Sequence, residues 1–352
     1  MDAAVALPAL TALLASGFSL ALVDQWRQRR QAYQAIWAVG MACYAVAAAA
    51  EGVLALAPTE TAYRIWYLVG GIWTVGWLGL GTAFLLGRTR FGYAFAVSLF
   101  LAGLFTFLTP RRDPEAFATV GMLPMVYFIL AGVLALAVAV ETYFQNWRWP
   151  WMALLAIGGA TVLSGVLALT MHLPPPGYAI DESSGIPVAT IVPGDLRLLS
   201  PFTNVTGGLV LMLGALFSVY VFMPKRRQLA YSLDPGQPGD EFLFNLLIAP
   251  VAISINFLAS LPGAVQALLR GELNSRVPAT LLIAVGALIP SIGDTLARAG
   301  TPDLHQVGVL LGVVFLFAGF LVSRETFVEI RVPFTSVVLR APRAESRGAT
   351  RH

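Results

Sequence analysis

Charged residues are scarce in this chain. Only 12% of its 352 residues are Asp, Glu, Lys or Arg, whereas 57% are hydrophobic. Soluble globular domains carry about 25% charged residues, because charged side chains cover the surface that faces water. A chain with so few charges lacks the side chains for such a surface. The composition therefore excludes an ordinary water-soluble domain and points to a protein embedded in a membrane.

Cysteine, lysine and histidine are almost absent as well. The single cysteine, Cys43, excludes a disulfide within the chain and a cysteine-based metal site. The three histidines are His172, His305 and His352, and none lies in the middle of an apolar run, which argues against paired haem ligands. The only lysine, Lys225, falls in a loop, so a retinal Schiff base is excluded. We predict no catalytic residue, no metal and no cofactor, and the sequence favours a role other than that of an enzyme.

Long apolar runs occupy the chain as far as Ser323. A bilayer core about 30 Å thick requires roughly 20 apolar residues per helix, and uninterrupted rather than alternating runs exclude a β-barrel. We predict an all-α, polytopic transmembrane helix bundle over residues 1–323, with 9–10 membrane segments and no soluble domain, followed by a basic, largely disordered tail over 324–352. The candidate helices are 3–24, 32–56, 62–87, 91–109, 118–144, 151–172, 201–223, 242–268, 277–297 and 304–323.

The distribution of basic residues predicts an orientation in the cell (inner) membrane. With the N-terminus outside, the basic turn at 27–30 faces the cytoplasm. If all ten segments cross, the Arg-rich tail ends outside; if one late segment does not cross, the tail and most of the 22 Lys and Arg residues lie inside. The positive-inside rule therefore favours nine crossings and a cytoplasmic C-terminus. Segment 242–268, interrupted by Pro250 and Pro262, is the best candidate for the one that does not cross or is broken.

Two acidic residues inside apolar runs are candidate binding residues. An ionisable side chain in a membrane helix costs at least about 2.5–3.5 kcal/mol on insertion scales, so it marks a functional site by default. Glu51 follows four alanines towards the outer end of the second helix and would bind a cation or accept a proton. Asp294 and Ser291 follow Pro290, whose kink frees a carbonyl, as in the discontinuous helices of transporters. The alternatives are a hydrogen bond between helices for Glu51 and an ordinary helix end for Asp294.

Four uncharged residues complete the predicted site. Asn245 and Asn256 lie in the eighth apolar run, where amides usually form hydrogen bonds between helices. Trp73 and Trp77 are one helical turn apart in the middle of the third run and are candidates to line a ligand cavity. The structural alternative is the aromatic belt found at membrane interfaces.

Glycine is abundant in the third run, and Gly308 and Gly312 form a GxxxG pattern in the last. Small residues allow helix backbones to approach closely, either within the chain or between subunits. We therefore expect two kinds of partner: the lipid bilayer, and a second copy or a membrane-complex subunit that contacts the glycine-rich helix faces. No partner of the nucleic-acid class is expected, because the 22 basic residues nearly balance the 19 acidic ones.

Several stretches of the first three helices follow a known pattern. An apolar helix ends in the basic turn WRQRR at 26–30, followed by AYQAIWAVG at 32–40, YRIWYLVGG at 63–71 and LGLGT at 78–82. In these stretches the chain resembles uncharacterised bacterial multi-pass membrane proteins, including those of actinobacteria. The basic turn and the final hairpin, 284–323, also resemble the seven-helix sensor region of some bacterial histidine kinases. The first resemblance implies a multi-pass fold without assigned chemistry, and the second implies a sensor.

Three functions remain open at this level. The first is a membrane protein that binds or transports a small molecule, an ion or a lipid, with a polar cavity that joins at least two of the candidate residues. The second is a non-catalytic sensor or an accessory subunit of a membrane complex, without such a cavity. The third is a lipid-modifying membrane enzyme, which ranks last because the sequence has no DDxxD, HxxxxD or comparable cluster.

Overall fold

The computed structural model describes residues 3–182, 185–232, 239–270, 276–298, 303–322, 330–331 and 338–340. It confirms the predicted all-α bundle. A π-helical segment, Trp66–Trp73, joins α3 to α4 without interruption, and Thr109–Arg111 forms a 3₁₀ turn after α5. The helices are α1 (Ala3–Arg29), α2 (Ala32–Leu56), α3 (Glu60–Ile65), α4 (Thr74–Leu85), α5 (Gly92–Leu108), α6 (Leu123–Tyr143), α7 (Trp149–Thr170), α8 (Gly194–Arg197), α9 (Leu199–Phe222), α10 (Gly239–Leu269), α11 (Arg276–Arg298) and α12 (Asp303–Val322).

Nine of the described helical stretches are long and apolar enough to cross a membrane, as expected of a multi-pass membrane protein. Each of the ten predicted runs corresponds to a helix, and the run 62–87 is the continuous stretch of α3, the π-helical segment and α4. By length and composition α10 qualifies over Leu247–Ala267, whereas the apolar stretch within α11, Val277–Pro290, is shorter. Length alone therefore does not decide which of the late helices cross.

Close backbone contacts hold the centre of the bundle together. α4 and α9 meet at Gly79 and Gly207, where a Cβ built on Gly79 would lie 2.5 Å from the Cα of Gly207. A Cβ on Gly81 would lie 2.1 Å from the indole of Trp37, whose Nε1 donates a hydrogen bond to Leu78 O at 3.0 Å. In α12, a Cβ on Gly312 would meet the ring of Pro290 at 2.6 Å. These glycines therefore contact helices of the same chain.

The turns between helices fall at two ends of the bundle. At one end α5 begins against the last turn of α6, where Gly92 faces Thr142. At the same end the ring of Phe91 lies 6.5 Å from that of Trp149 at the start of α7, and 5.6 Å from that of Phe217 near the end of α9. We call this the basic end because the turns there are rich in basic residues, namely Arg29, Arg30, Arg88, Arg90, Arg148, Lys225, Arg226 and Arg227.

Helix directions assign the remaining turns. α2 runs antiparallel to α4, because Gly40 lies beside Leu78 and Gly70 lies beside Ala47. α12 runs parallel to α1: Gln306 Nε2 donates to Ala4 O near the start of both helices. The rings of Phe18 and Phe320, further along the two helices, are 5.0 Å apart. α1, α4, α9 and α12 therefore all end at the basic end.

The opposite end holds the turns at 57–59, 109–122 and 171–198. Its loop 171–198 is fixed to α3 by two side chains. Tyr63 donates a hydrogen bond to Val188 O, and Arg64 donates to Ala168 O at 2.5 Å and to Met171 O at 2.7 Å. The arginine thereby satisfies carbonyls at the end of α7 that have no partner within the helix. The short helix α8 lies inside this loop.

Two short strands lie in the C-terminal tail, 324–352, which was predicted to be largely disordered. Ile330–Arg331 pairs antiparallel with Val338–Arg340. The disorder predicted for most of the tail stays a prediction. The other residues of the tail lie outside the described ranges.

Candidate functional site

The carboxyl group of Glu51 lies beside a histidine, a contact that the sequence did not indicate. Its Oε1 lies 3.5 Å from Nε2 of His305, which is in the first turn of α12, and both side chains are largely buried. The pair therefore connects α2 to α12 towards the opposite end of the bundle. His305 was noted in the sequence only as the start of the last helix, because its partner is remote in the chain.

Asn245 and Asn256 are both on α10 and have a structural role. Asn256 is 1% exposed, and its Oδ1 accepts hydrogen bonds from the backbone N–H groups of Gln228 at 2.7 Å and Leu229 at 2.9 Å. Its Nδ2 donates to Leu229 O at 2.8 Å. Asn245 Oδ1 accepts a hydrogen bond from Ser232 N at 3.3 Å. The two amides hold the non-helical segment that follows α9.

Trp73 and Trp77 connect α4 and the preceding π-helical segment to α7. Trp73 Nε1 donates to Ser164 Oγ at 2.9 Å, and Trp77 Nε1 donates to Thr161 Oγ1 at 3.2 Å. The two acceptors are three residues apart, so they lie on one face of α7. Both indoles thus use their polar group between helices, and neither lines the two cavities described below.

The remaining two predicted residues, Ser291 and Asp294, belong to α11. The helix continues through Pro290 to Arg298. The side chains of Ser291 and Asp294 lie outside the described residues, so their predicted role stays a prediction. The five described members of the predicted set do not form one site: they are found at Glu51–His305, on α10 and against α7. None of the five lines either of the two cavities described below.

Several polar side chains outside the predicted site residues lie around the π-helical segment. Gly71 O accepts hydrogen bonds from Ser200 Oγ at 2.6 Å and from Asn204 Nδ2 at 2.8 Å. Thr74 Oγ1 bonds Val69 O at 2.8 Å within the same wide turn. Asn204 Oδ1 is buried and has no hydrogen-bond partner among the described residues. Single π-helical turns occur frequently at functional sites, and the signal in the sequence was the spacing of Ser200 and Asn204 on one helix face.

The first of two cavities lies at the basic end and has a volume of about 280 Å³. It is enclosed by α2, α4, α9, α11 and α12, and its polar lining consists mainly of the hydroxyls of Tyr33, Thr82, Thr89, Ser218 and Thr280. The rest of the lining is apolar and includes Trp37, Leu211, Phe217, Ile283 and Phe320. Ligand cavities commonly measure about 300–1,000 Å³ and are mostly apolar with a few polar groups. The composition of this cavity fits a hydrocarbon chain better than an ion.

The second cavity is a cleft of about 400 Å³ between α10 and the segment that follows α9. Lys225 and Arg226 line one wall, and Ser260 and Gln266 belong to the other. The two cavities adjoin the same turn, because Phe222 lines the first and Pro224 lines the second. An apolar cavity thus lies next to a cleft with two cations.

Tyr231, at the end of this segment, belongs to the same neighbourhood. Burial raises the pKa of its phenol, and a hydrogen bond and the charge interaction with Tyr220 raise it further, whereas Arg227 acts in the opposite direction. The phenol is therefore protonated at neutral pH. The hydrogen bond to Tyr220 ties the segment back to the last turns of α9.

Among the described side chains, no group of three or more His, Cys, Asp or Glu residues is arranged so that it could hold a metal ion. Comparison of the chain with protein-family models, with curated proteins and with solved structures gave no match.

Proposed function

We propose that this protein binds an amphiphilic, lipid-like molecule at the basic end of its helix bundle. The observation that supports the proposal is the apolar cavity of about 280 Å³ beside the cleft lined by Lys225 and Arg226. An acyl chain in the first cavity would bury apolar surface, and each methylene group contributes about 0.8 kcal/mol. An anionic headgroup in the cleft would be attracted by the two cations, as in other basic pockets at the membrane surface.

The basic residues at this end of the bundle also predict how the protein is oriented in the membrane. We place the basic end at the cytoplasmic face of the inner membrane, with the N-terminus outside, because the basic residues of the turns collect there and the positive-inside rule assigns such turns to the cytoplasm. The ligand is then a component of the cytoplasmic leaflet or an amphiphile that arrives from the cytoplasm.

Filling the apolar cavity should weaken binding about tenfold. Ala215 lies on α9, lines the cavity and is buried, so Ala215→Phe would place a ring in the space that the acyl chain needs. Excluding two methylene groups costs about 1.6 kcal/mol, so we expect about a tenfold loss of affinity. The measurement is crosslinking of the purified protein in nanodiscs by an anionic phospholipid with a diazirine on its acyl chain, with the labelled peptides mapped by mass spectrometry.

Two controls make this experiment decisive. Val162→Phe adds the same ring on a lipid-exposed face of α7 and should leave labelling of the cavity peptides unchanged. Lys225→Gln combined with Arg226→Gln should reduce labelling by the anionic lipid but not by a zwitterionic one with the same acyl chain. Both cavity and control variants must show the melting temperature of the parent protein. Equal labelling of the cavity peptides in the Ala215→Phe variant would refute the proposal.

A further inference from the structure

α10 is the longest of the described helices. The helices before and after it, α9 and α11, meet it at the same end of the bundle. Before it, α9 ends at the basic end. After it, α11 begins there too, since Val277 packs in one cluster with Val219 of α9 and with Met223, which follows α9. α11 then runs antiparallel to α12, as shown by Ala279 beside Gly319. The chain between α9 and α11 therefore leaves and re-enters the bundle at the same end, and a single crossing by α10 is incompatible with that path.

The segment after α9 runs alongside α10 in the opposite direction. Arg226 N donates to Ser260 Oγ at 2.8 Å, and Ser232 N donates to Asn245 Oδ1 at 3.3 Å, with the contacts of Asn256 between them. An extended chain of six residues spans at most about 20–22 Å. From Asn245 to Ser260 the helix advances fifteen residues, a rise of about 22 Å. The segment, which bends at Gln228 and Leu229, therefore runs alongside this part of α10 and lies at the same depth.

That depth is not the hydrocarbon core. Residues 224–230 are all exposed, and Lys225, Arg226 and Arg227 are among them. Three exposed cations and a non-helical backbone do not occur against lipid tails, where charges and unsatisfied backbone groups are costly. The segment must lie in water or among headgroups, and α10, bonded to it at three places, lies beside it. This also excludes a return path in which the segment and α10 would each cross once.

The two sides of α10 differ accordingly. The buried side, which includes the segment's partners Asn256 and Ser260, is made of small or polar residues, namely Ala249, Ala252, Asn256, Ser260 and Ala264. Another side carries an exposed apolar stripe with helical spacing, made of Phe244, Leu247, Val251, Ile255, Leu258, Val265 and Leu269. The contacts of α10 with other helices are sparse, so the described part of the chain leaves this stripe uncovered.

We infer that α10 lies along the bilayer surface at the basic end, with its apolar stripe inserted at the boundary between headgroups and acyl chains. Helices with one apolar face bind membranes in this way, and basic residues nearby add attraction to anionic lipids. The occupant of the stripe is thus the lipid surface of the same bilayer, next to Lys225, Arg226 and Arg227. The chain crosses nine times, with α11 as the eighth crossing. The inference does not depend on the proposed ligand.

The first test is labelling by a membrane-impermeant maleimide in a Cys43→Ala background. Asp240→Cys marks the first turn of α10, Arg270→Cys marks the position after its end, and Gln31→Cys marks the basic end between α1 and α2. All three should be labelled from one side of sealed vesicles, and Asp113→Cys, in the turn after α5, from the other. Labelling of Asp240→Cys and Arg270→Cys from different sides would overturn the inference.

The second test measures depth directly. Spin labels at Val251→Cys, Leu258→Cys and Val265→Cys sample fourteen residues, or about 21 Å along the helix axis. Accessibility to oxygen and to a nickel chelate should place all three at one shallow depth in vesicles with anionic lipid. In the Lys225→Gln, Arg226→Gln, Arg227→Gln variant the labels should become more accessible to the nickel chelate. A depth that changes steadily from Val251 to Val265, or no response to the three substitutions, contradicts the inference.

Discussion

Gly79→Ala should destabilise the bundle more than alanine at a glycine that faces open space. The added Cβ would lie 2.5 Å from the Cα of Gly207 and 2.7 Å from its carbonyl oxygen. Backbone atoms have no alternative rotamer, so α4 and α9 must separate, and overpacking of this kind costs about 1–3 kcal/mol or more. We expect a lower melting temperature in detergent and less folded protein by fluorescence-detected size-exclusion chromatography.

The reciprocal variant and a matched control accompany this prediction. Gly207→Ala would place its Cβ 2.2 Å from Val75 O and should have a similar effect. Gly132→Ala is the control, because a Cβ at this position of α6 meets no atom within 4 Å. Alanine is also the better helix former by about 1 kcal/mol, so Gly132→Ala should leave the melting temperature unchanged or raise it. If the Gly79→Ala and Gly132→Ala variants have the same melting temperature, α4 and α9 do not approach each other as closely as described.

Asn256→Leu should release the segment that follows α9 and expose it to protease. The substitution removes the partner of two backbone N–H groups and of one carbonyl, at positions 228 and 229. Each such hydrogen bond contributes about 1 kcal/mol. The three bonds together contribute about 3 kcal/mol, and a loss of half of that total already raises the population of the open segment about tenfold. Trypsin should therefore cleave at Lys225, Arg226 or Arg227 about tenfold faster, as measured from the decay of the intact chain on gels.

Two further variants test the source of this effect. Ser254→Ala alters an exposed serine of α10 whose hydroxyl bonds only Pro250 O of its own helix, and it should leave the cleavage rate unchanged. Asn256→Asp keeps the oxygen that accepts from both N–H groups and should have an intermediate rate. Cleavage of Asn256→Leu at the parental rate would show that the amide does not hold the segment.

The membrane helices were predictable because the signal is local. A run such as 32–56 is apolar enough to require a helix in lipid, and α2 is found over the same residues. The π-helical segment was not predictable, because its wide turn is stabilised by Ser200 and Asn204, which are distant in the sequence. Local composition contains no information on such contacts.

The lack of information on distant contacts also explains why the predicted site residues do not form one site. An apolar run identifies Glu51 and Asn256 as unusual, and both are indeed buried. It does not identify the partner: His305 for the first, and the backbone of residues 228 and 229 for the second. The cavity at the basic end was missed because its lining is apolar and comes from five helices, so no residue in it stands out from its neighbours in the sequence.

The π-helical segment also sets the rotational phase of the third transmembrane helix. One residue more in a helix turns everything that follows by about 100°, since an α-helix has 3.6 residues per turn. Trp77, Gly79 and Gly81 face α7, α9 and α2, respectively, after this wide turn. If the segment shortened by one residue to regular α-helix, all three would turn away from their partners together. The two hydrogen bonds to Gly71 O stabilise the wide turn. Through that turn they keep α4 rotated so that it contacts α7, α9 and α2.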